Sequence, residues 1–207
     1  MSNLSTHDHV SRRHFLTAAG ATGALAGVAL PAVHASDEDT VRVALIGCGG
    51  RGTGAAAQAL STRGRVQLVA ACDAFKDRLE SSLTTLRSKV AQRADGLASV
   101  EVPEDHKFIG FDGYKQAIAL ADVVLLCTPP GFRPLHFEEA VRQGKHVFME
   151  KPMAVDGPGV RRVLAAGAEA KRRGLRVGSG FCLRYCLGQR ELVQRLHDGA
   201  IGEIVSM

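Results

Sequence analysis

The hydrophobic and polar positions after about residue 40 follow two different patterns. Short, almost wholly apolar runs rich in Val, Ile and Leu are typical of parallel strands that are buried on both faces. Longer segments with apolar residues three and four positions apart are typical of amphipathic helices. The predicted strands are 41–46, 65–72, 107–109, 122–127, 146–149 and 175–178, and the predicted helices are 53–60, 74–90, 114–120, 134–143, 160–173 and 184–197.

This alternation of strands and helices predicts an α/β fold with a right-handed, doubly wound parallel sheet. In such sheets ligands bind at the carboxyl ends of the strands. Gly47, Asp73, Thr128 and Glu150 each come directly after a predicted strand, so we expect them to converge at that edge. The segment 91–107 is polar and irregular, and we expect it to form a surface excursion.

The connection between the first predicted strand and the first predicted helix is rich in glycine. Gly47, Gly49 and Gly52 satisfy the pattern G-x-G-x-x-G, with Gly50 and Arg51 inside it. In dinucleotide-binding Rossmann domains the three glycines permit a tight turn, admit the pyrophosphate and let the helix pack closely on the strand. The helix dipole would stabilise the bound anion by about 0.3–1 kcal/mol. The alternative is a glycine-rich turn without a ligand.

Asp73 strengthens the dinucleotide interpretation. It ends the second predicted strand about 20 residues after Gly52, where an acidic residue binds the 2′-hydroxyl of the adenosine ribose. An aspartate there repels a 2′-phosphate, which favours NAD over NADP. NADP stays open because Lys76 follows closely and could pair with that phosphate. A helix N-cap is the alternative role for Asp73.

Composition and charge narrow the function classes. The 207 residues are 45% hydrophobic and 23% charged, which is typical of a globular protein. The formal net charge is +5, but the basic residues are scattered and aromatics make up only 5%, so we expect no nucleic-acid partner. The cysteines show no metal-ligand spacing, and we expect no metal. Cys182 and Cys186, one helical turn apart, leave a disulfide or metal site as an alternative.

Residues 1–35 contain the segments of a twin-arginine export signal in the expected order. Arg12 and Arg13 precede the apolar, Ala- and Gly-rich stretch 17–30, and a small-residue cleavage site follows. We therefore expect the Tat export machinery as a partner and a periplasmic or extracellular location. An uncleaved anchor is the alternative, because 15–33 lacks formal charge and nearly has the length that spans a bilayer.

A carboxylate and an ammonium group follow the predicted strand 146–149. Glu150 and Lys151 would leave the sheet beside the nicotinamide end of a bound cofactor, and Pro152 comes next. Lys151 could hydrogen-bond a substrate hydroxyl and stabilise the alkoxide as hydride departs, or take part in proton transfer. An ion pair on a solvated loop is the alternative for these two neighbours.

Together these segments resemble the glucose-fructose oxidoreductase/inositol dehydrogenase/MocA (Gfo/Idh/MocA) oxidoreductases. The resemblance covers residues 41–207. It is carried by the glycine motif, Asp73, the Cys-Thr-Pro-Pro segment at 127–130, Gly-Lys-His-Val at 144–147 and Glu-Lys-Pro at 150–152. It implies an NAD(P)-binding Rossmann domain at 36–180, followed by an α/β domain whose start occupies 181–207.

The resemblance also implies roles for single residues. Lys151 would lie at the reacting centre and contact substrate, and Glu150 would lie near the nicotinamide ribose. The Lys-Pro bond of this motif is often cis in the family, so the resemblance also implies a cis Lys151-Pro152 bond. Thr128 and Pro129, in the Thr-Pro loop, would contact the cofactor. Arg184 and Tyr185 match the entry to the second domain, and we expect them to contact substrate.

The Thr-Pro loop departs from the family pattern. Pro130 replaces an asparagine, and Arg133 stands where many members carry a histidine. His136 comes one helical turn later. It either replaces that histidine as a substrate-binding residue or lies on the surface of its helix.

These observations predict an NAD(P)-dependent oxidoreductase that transfers hydride between nicotinamide and a secondary hydroxyl of a sugar, cyclitol or derivative. We expect a homo-oligomer for the full-length protein. An NAD-dependent glycosidase of the same family is one alternative. A dinucleotide-binding fragment without catalysis is another, since family members are much longer and 202–207 resembles the first strand of the second domain.

Overall fold

The computed structural model describes residues 40–203 and 205–206, so the predicted export signal at 1–35 lies outside the described residues. The strands are β1 (Val41–Ile46), β2 (Val66–Asp73), β3 (Ala98–Val100), β4 (Lys107–Ile109), β5 (Val123–Leu126), β6 (His146–Met149) and β7 (Val177–Ser179). The helices are α1 (Gly50–Ala59), α2 (Lys76–Ala91), α3 (Tyr114–Ala119), α4 (Arg133–Arg142), α5 (Gly157–Arg172), α6 (Cys182–Tyr185) and α7 (Leu187–His197), with a 3-10 turn at Glu104–His106. No helix in this part of the chain is both long and apolar enough to cross a bilayer.

The strands form one seven-stranded sheet in the order β3-β2-β1-β5-β6-β7, and β4 extends the sheet beside the end of β2. Every pairing is parallel. The strand order reverses between β1 and β5, which is the position where doubly wound sheets open a crevice for a ligand. The predicted doubly wound Rossmann fold is therefore confirmed.

The alternation of side chains along β1 divides the core between the two faces of the sheet. Val43 and Leu45 point to one face, which α1 and α2 cover with apolar residues such as Leu83. Ala44 and Ile46 point to the other face, which α3, α4 and α5 cover. Because β1 is buried on both faces, its sequence is continuously apolar after Arg42.

Two predictions about the connecting segments are wrong. Residues 91–107 are not only a surface excursion, because β3 lies within them and pairs with Val66–Leu68 on β2. The pattern missed β3 because an edge strand of three residues is too short to show a period. The helix predicted at 184–197 is broken at Cys186, whose extended backbone separates α6 from α7.

The break at Cys186 also changes the arrangement of the cysteine pair. Cys182 lies in α6 and Cys186 lies beyond its end, so the two do not share the face of one helix. Both are exposed free thiols in the structure. No group of three His, Cys, Asp or Glu side chains within the described ranges is arranged to hold a metal ion.

Candidate active site

The register of the parallel strands brings four loops to one edge of the sheet. Ile46 lies beside both Cys72 and Leu126, and Leu126 lies beside Met149. The next residues along each strand are therefore neighbours at the carboxyl edge. They are Gly47, Asp73, Cys127 and Glu150.

A cavity of about 820 Å³ opens at this edge, at the switch point between β1 and β5. Most of the predicted site residues line it. They are Gly47, Gly49, Arg51, Asp73, Thr128, Pro129, His136, Glu150 and Lys151. The structure thus brings the predicted glycine loop, acid, Thr-Pro loop and lysine together around one space.

Two of the glycines are required by close backbone approach. Gly47 has φ +96°, and a Cβ there would lie 2.7 Å from the backbone nitrogen of Thr128. A Cβ on Gly52 would lie 1.8 Å from the carbonyl oxygen of Gly47. Gly49 differs, because a Cβ there would meet no atom within 4 Å. The loop is therefore tight against the sheet and open in front of α1, a shape that fits a pyrophosphate.

Asp73 holds the glycine loop through the backbone. One carboxylate oxygen accepts a hydrogen bond from the Cys48 amide at 2.7 Å, and the other accepts from the Phe75 amide at 2.9 Å. Phe75, not Asp73, is the N-cap residue of α2, so the helix N-cap role considered for Asp73 is not the one observed. The carboxylate faces the cavity with its position set by two amides.

Glu150 is a buried carboxylate paired with the glycine loop. It is 5% exposed, and its Oε1 accepts from Arg51 Nε at 2.7 Å. The hydrogen bond to Glu150 raises the pKa of Arg51. On the other side, a Cβ on Gly180 would lie 2.6 Å from Glu150 Oε2, so a side chain at this position would have to displace the carboxylate. The solvated Glu150–Lys151 pair is therefore not formed: Glu150 is buried against Arg51.

Lys151 lies where two cavities meet. Its side chain is exposed, and it lines both the cavity at the switch point and a second cavity of about 870 Å³. Arg184 lines the second cavity, whereas Tyr185 is 68% exposed and lines neither. The Lys151–Pro152 peptide bond is cis, as the family resemblance implied.

His136 is buried and packs inside the site. It is 5% exposed, its Nδ1 lies 3.2 Å from Thr128 Oγ1, and its ring lies 4.2 Å from that of Tyr114. Burial, with a smaller contribution from the charge of Arg133, lowers the pKa of His136 to about 4. The alternative of a helix-surface histidine is therefore wrong, and the ring is neutral near pH 7.

Three predicted cofactor residues do not line the main cavity: Gly50, Gly52 and Lys76. Gly52 is packed against the Gly47 carbonyl instead. Gly50 lines a separate shallow depression at the start of α1. Lys76 is exposed at the first position of α2 and does not line the main cavity. Arg78, two positions later, lines the cavity near Asp73 instead. Sequence reasoning chose the nearer cation, and the helical period puts the second one at the site.

Two stacked phenylalanines also line the main cavity, and the sequence pattern does not predict them. Phe111 and Phe132 stack with ring centroids 5.7 Å apart, and Phe132 stacks in turn on His136 at 6.1 Å. Phe111 and Phe132 are 68% and 41% exposed, and both line the main cavity. Phe111 follows β4 and Phe132 follows β5, so the sequence does not show that their rings meet.

The glycine turn, the acid after β2 and the lysine after β6 define a dinucleotide-binding α/β domain. Comparison with protein families agrees: the model of the oxidoreductase family with an NAD-binding Rossmann fold matches residues 41–181. The chain belongs to this family, the Gfo/Idh/MocA oxidoreductases.

Several relatives resemble the chain over most of its length. A glycosyl hydrolase family 109 protein of Streptomyces coelicolor is 29% identical over 98% of the chain and 45% of its own length. An inositol 2-dehydrogenase of Cereibacter sphaeroides is 30% identical over 72% of the chain and 39% of its own. A 3-ketoreductase from Actinomadura kijaniata, solved with NADP, has a TM-score of 0.57 and 26% identity, covering 80% of the chain and 46% of its own. The chain thus spans less than half the length of these relatives.

The close approach in the glycine loop yields a prediction with a matched control. Gly52→Ala should lower the free energy of unfolding by about 1–3 kcal/mol, because the added Cβ must push α1 away from the Gly47 carbonyl. Gly50→Ala, whose Cβ meets no atom within 4 Å, should leave it unchanged or slightly raise it. Denaturant unfolding measures both. Equal effects would show that the contact does not constrain the loop.

The buried imidazole predicts a pH dependence of stability. Between about pH 6.5 and 4 the unfolded chain protonates His136 whereas the folded site keeps it neutral, so the free energy of unfolding should fall with decreasing pH. The slope from this one residue is at most about 1.4 kcal/mol per pH unit. Denaturant unfolding at pH 7 and pH 5 should show a flatter dependence in His136→Gln. An identical slope in the variant contradicts the burial argument.

Proposed function

We propose that this protein is an NAD(P)-dependent oxidoreductase that transfers hydride between nicotinamide and a secondary hydroxyl of a sugar, cyclitol or related compound. The observation that carries the proposal is the position of Lys151, at the junction between the dinucleotide cavity and a second cavity. The inositol 2-dehydrogenase among the relatives supports the substrate class.

The residues at the switch point fit a dinucleotide. The open space before Gly49 and the first turn of α1 suits the pyrophosphate, and Asp73 offers carboxylate oxygens to the adenosine ribose. The stacked faces of Phe111 and Phe132 suit a planar ring system. When bound, the nicotinamide ring accepts or returns a hydride at C4.

Lys151 acts on the substrate oxygen. As the carbon–hydrogen bond of the carbinol breaks, negative charge develops on the hydroxyl oxygen, and the Lys151 side chain hydrogen-bonds that oxygen or exchanges its proton. Glu150 pairs with Arg51 and lines the same cavity, next to Lys151 in the chain. Thr128 and His136 close the cavity on the side of α4.

NAD is the favoured cofactor. The Asp73 carboxylate lies in the cavity with its oxygens held by two backbone amides, and its negative charge opposes a 2′-phosphate. Arg78 also lines this cavity and could offer such a phosphate a partner, so NADP binding at lower affinity is expected. The relative solved with NADP is consistent with both cofactors occurring in the family.

An NAD-dependent glycosidase is the second candidate. The specific observation in its favour is the glycosyl hydrolase family 109 relative, whose alignment covers 98% of the chain. Transient oxidation of a sugar hydroxyl followed by return of the hydride would cleave a glycoside with no net cofactor turnover. The same Lys151 would serve both reactions, so the site geometry does not separate them.

Replacement of Lys151 tests the proposed chemistry. In the complete protein that carries this sequence, Lys151→Met should lower kcat by roughly 10²–10⁴-fold because the developing alkoxide loses its partner. Binding of NAD, measured by calorimetric titration, should persist because the glycine loop and Asp73 are unchanged. Lys145→Met is the matched control: Lys145 lies at the opposite end of β6 and donates to the Ala119 carbonyl at 3.0 Å. It should retain activity.

The outcomes separate the candidates. Net reduction of NAD with a free sugar or cyclitol supports the oxidoreductase, and cleavage of an aryl glycoside without net reduction supports the glycosidase. If the folded wild-type protein binds neither NAD nor NADP, both the oxidoreductase and the glycosidase are refuted.

We further propose that the protein is exported by the Tat route to the periplasm or beyond the cell. The support is the Arg12-Arg13 pair ahead of the apolar stretch 17–30. Export of a folded, cofactor-loaded enzyme suits a dinucleotide-binding domain.

Substitution of the arginine pair tests the export proposal. Arg12→Lys combined with Arg13→Lys should leave the protein in the cytoplasm of a host with an active Tat system, whereas Arg42→Lys, a change at the first strand, should not affect export. Cell fractionation measures the distribution. Export of the double variant at the wild-type level would refute the Tat assignment.

A further inference from the structure

Arg133 is a buried cation with no acidic partner. It is the first residue of α4 and is 2% exposed. Within the described residues its guanidinium forms no ion pair and bonds only to backbone carbonyl oxygens. Burial lowers the pKa of Arg133, and the positive end of the helix dipole also opposes a cation there. Because this position is unfavourable for a cation, the hydrogen bonds of the guanidinium indicate the role that keeps it there.

The contacts of Arg133 join two loops of the site. Nη1 donates to the Pro152 carbonyl oxygen, and Nη2 donates to the Thr128 carbonyl oxygen. Thr128 follows β5, and Pro152 is the residue after Lys151 beyond β6. Nε is buried with no partner among the described residues, so the guanidinium is held by these two carbonyls alone. One planar group therefore connects the Thr-Pro loop to the Lys-Pro segment.

The connection reaches the backbone next to Lys151. The exposed side chain of Lys151 has no ion-pair partner among the described residues, so the backbone on either side, which fixes the Cα of Lys151, is what limits the region that its amine can reach. Before it, Glu150 is anchored by Arg51, and after it, Pro152 is anchored by Arg133.

We propose that Arg133 is a positioning residue: by bonding the Thr128 and Pro152 carbonyls together it sets the place of Lys151 relative to the nicotinamide end of the cavity. The proposal rests on the hydride-transfer function proposed above. Arg133 lines the same cavity, but both of its terminal nitrogens are bonded to backbone carbonyls, so we assign it an effect through the segment that carries Lys151 and not a direct contact with the reacting atoms. A lysine at this position has a single nitrogen and lacks the planar fork that reaches two carbonyls at once.

The proposal predicts that turnover and cofactor affinity separate. No hydrogen bond within the described residues links Arg133 to Asp73 or to the glycine loop, which would hold the adenosine and pyrophosphate. Loss of the fork should therefore displace Lys151 while leaving most of the dinucleotide contacts intact. A displacement of about 1 Å at a reacting group lowers turnover by roughly 100-fold.

The test compares Arg133→Lys, Arg133→Met and Arg133→Ala in the complete protein with Arg142→Met as the matched control. Arg142 lies on the same helix, exposed, and pairs with Glu139. We expect kcat to fall roughly 10- to 100-fold in all three Arg133 variants, with the Kd for NAD close to wild type. Added guanidinium chloride should partly restore kcat of Arg133→Ala, whereas sodium chloride at equal ionic strength should not. Arg142→Met should match the wild type throughout.

Several results overturn the proposal. A folded Arg133→Lys protein with wild-type kcat shows that the fork is not needed. A loss of kcat that follows an equal loss of NAD affinity shows a general effect on the cavity, and failure of all three variants to fold beside an intact control shows a purely structural role. Failure of the proposed function is seen separately, because the wild-type protein would then bind no nicotinamide cofactor and reduce none.

Discussion

The site depends on how closely three backbone segments approach one another at the switch point of the sheet. Gly47 lies directly against the backbone of Cys127 and Thr128, and Gly52 lies against the Gly47 carbonyl. No side chain fits between these segments, so β1, α1 and β5 are held at backbone contact distance. Because the loop is pressed against the sheet here, the space in front of Gly49 stays open, and the cavity exists where it does.

Charge at the site is balanced around one buried carboxylate. Glu150 is paired directly with Arg51 from the glycine loop, and Arg133 lines the same cavity with only carbonyls as partners. A lone buried carboxylate or guanidinium is expensive, and each is tolerable here because the other charges and dipoles are close. The same arrangement keeps His136 neutral, since the Arg133 charge adds to the effect of burial.

Local patterns were sufficient to predict the framework of the fold. The bounds of β1 and β6 agree with the predicted 41–46 and 146–149, because strands buried on both faces leave continuous apolar runs. The convergence of Gly47, Asp73, Thr128 and Glu150 follows from parallel pairing alone. The short edge strand β3 was not predicted, because three residues are too few to show a period and their pairing is determined by β2.

The parts of the site that sequence did not predict depend on tertiary packing. The burial of His136 and Arg133 is decided by what α4 packs against, and the spacing within α4 does not contain that information. Arg78, and not Lys76, lines the main cavity, and which of the two does so depends on where the helical repeat of α2 begins after Phe75. The stacking of Phe111 on Phe132 joins two loops distant in sequence, so neither loop predicts it alone.

Lys151 belongs to the walls of two separate chambers. A small molecule in the second chamber therefore reaches the amine without crossing the space that a dinucleotide fills. Under the proposed function, a dinucleotide in the first cavity and a substrate in the second would both reach this residue, so the fold imposes no fixed order of binding on them.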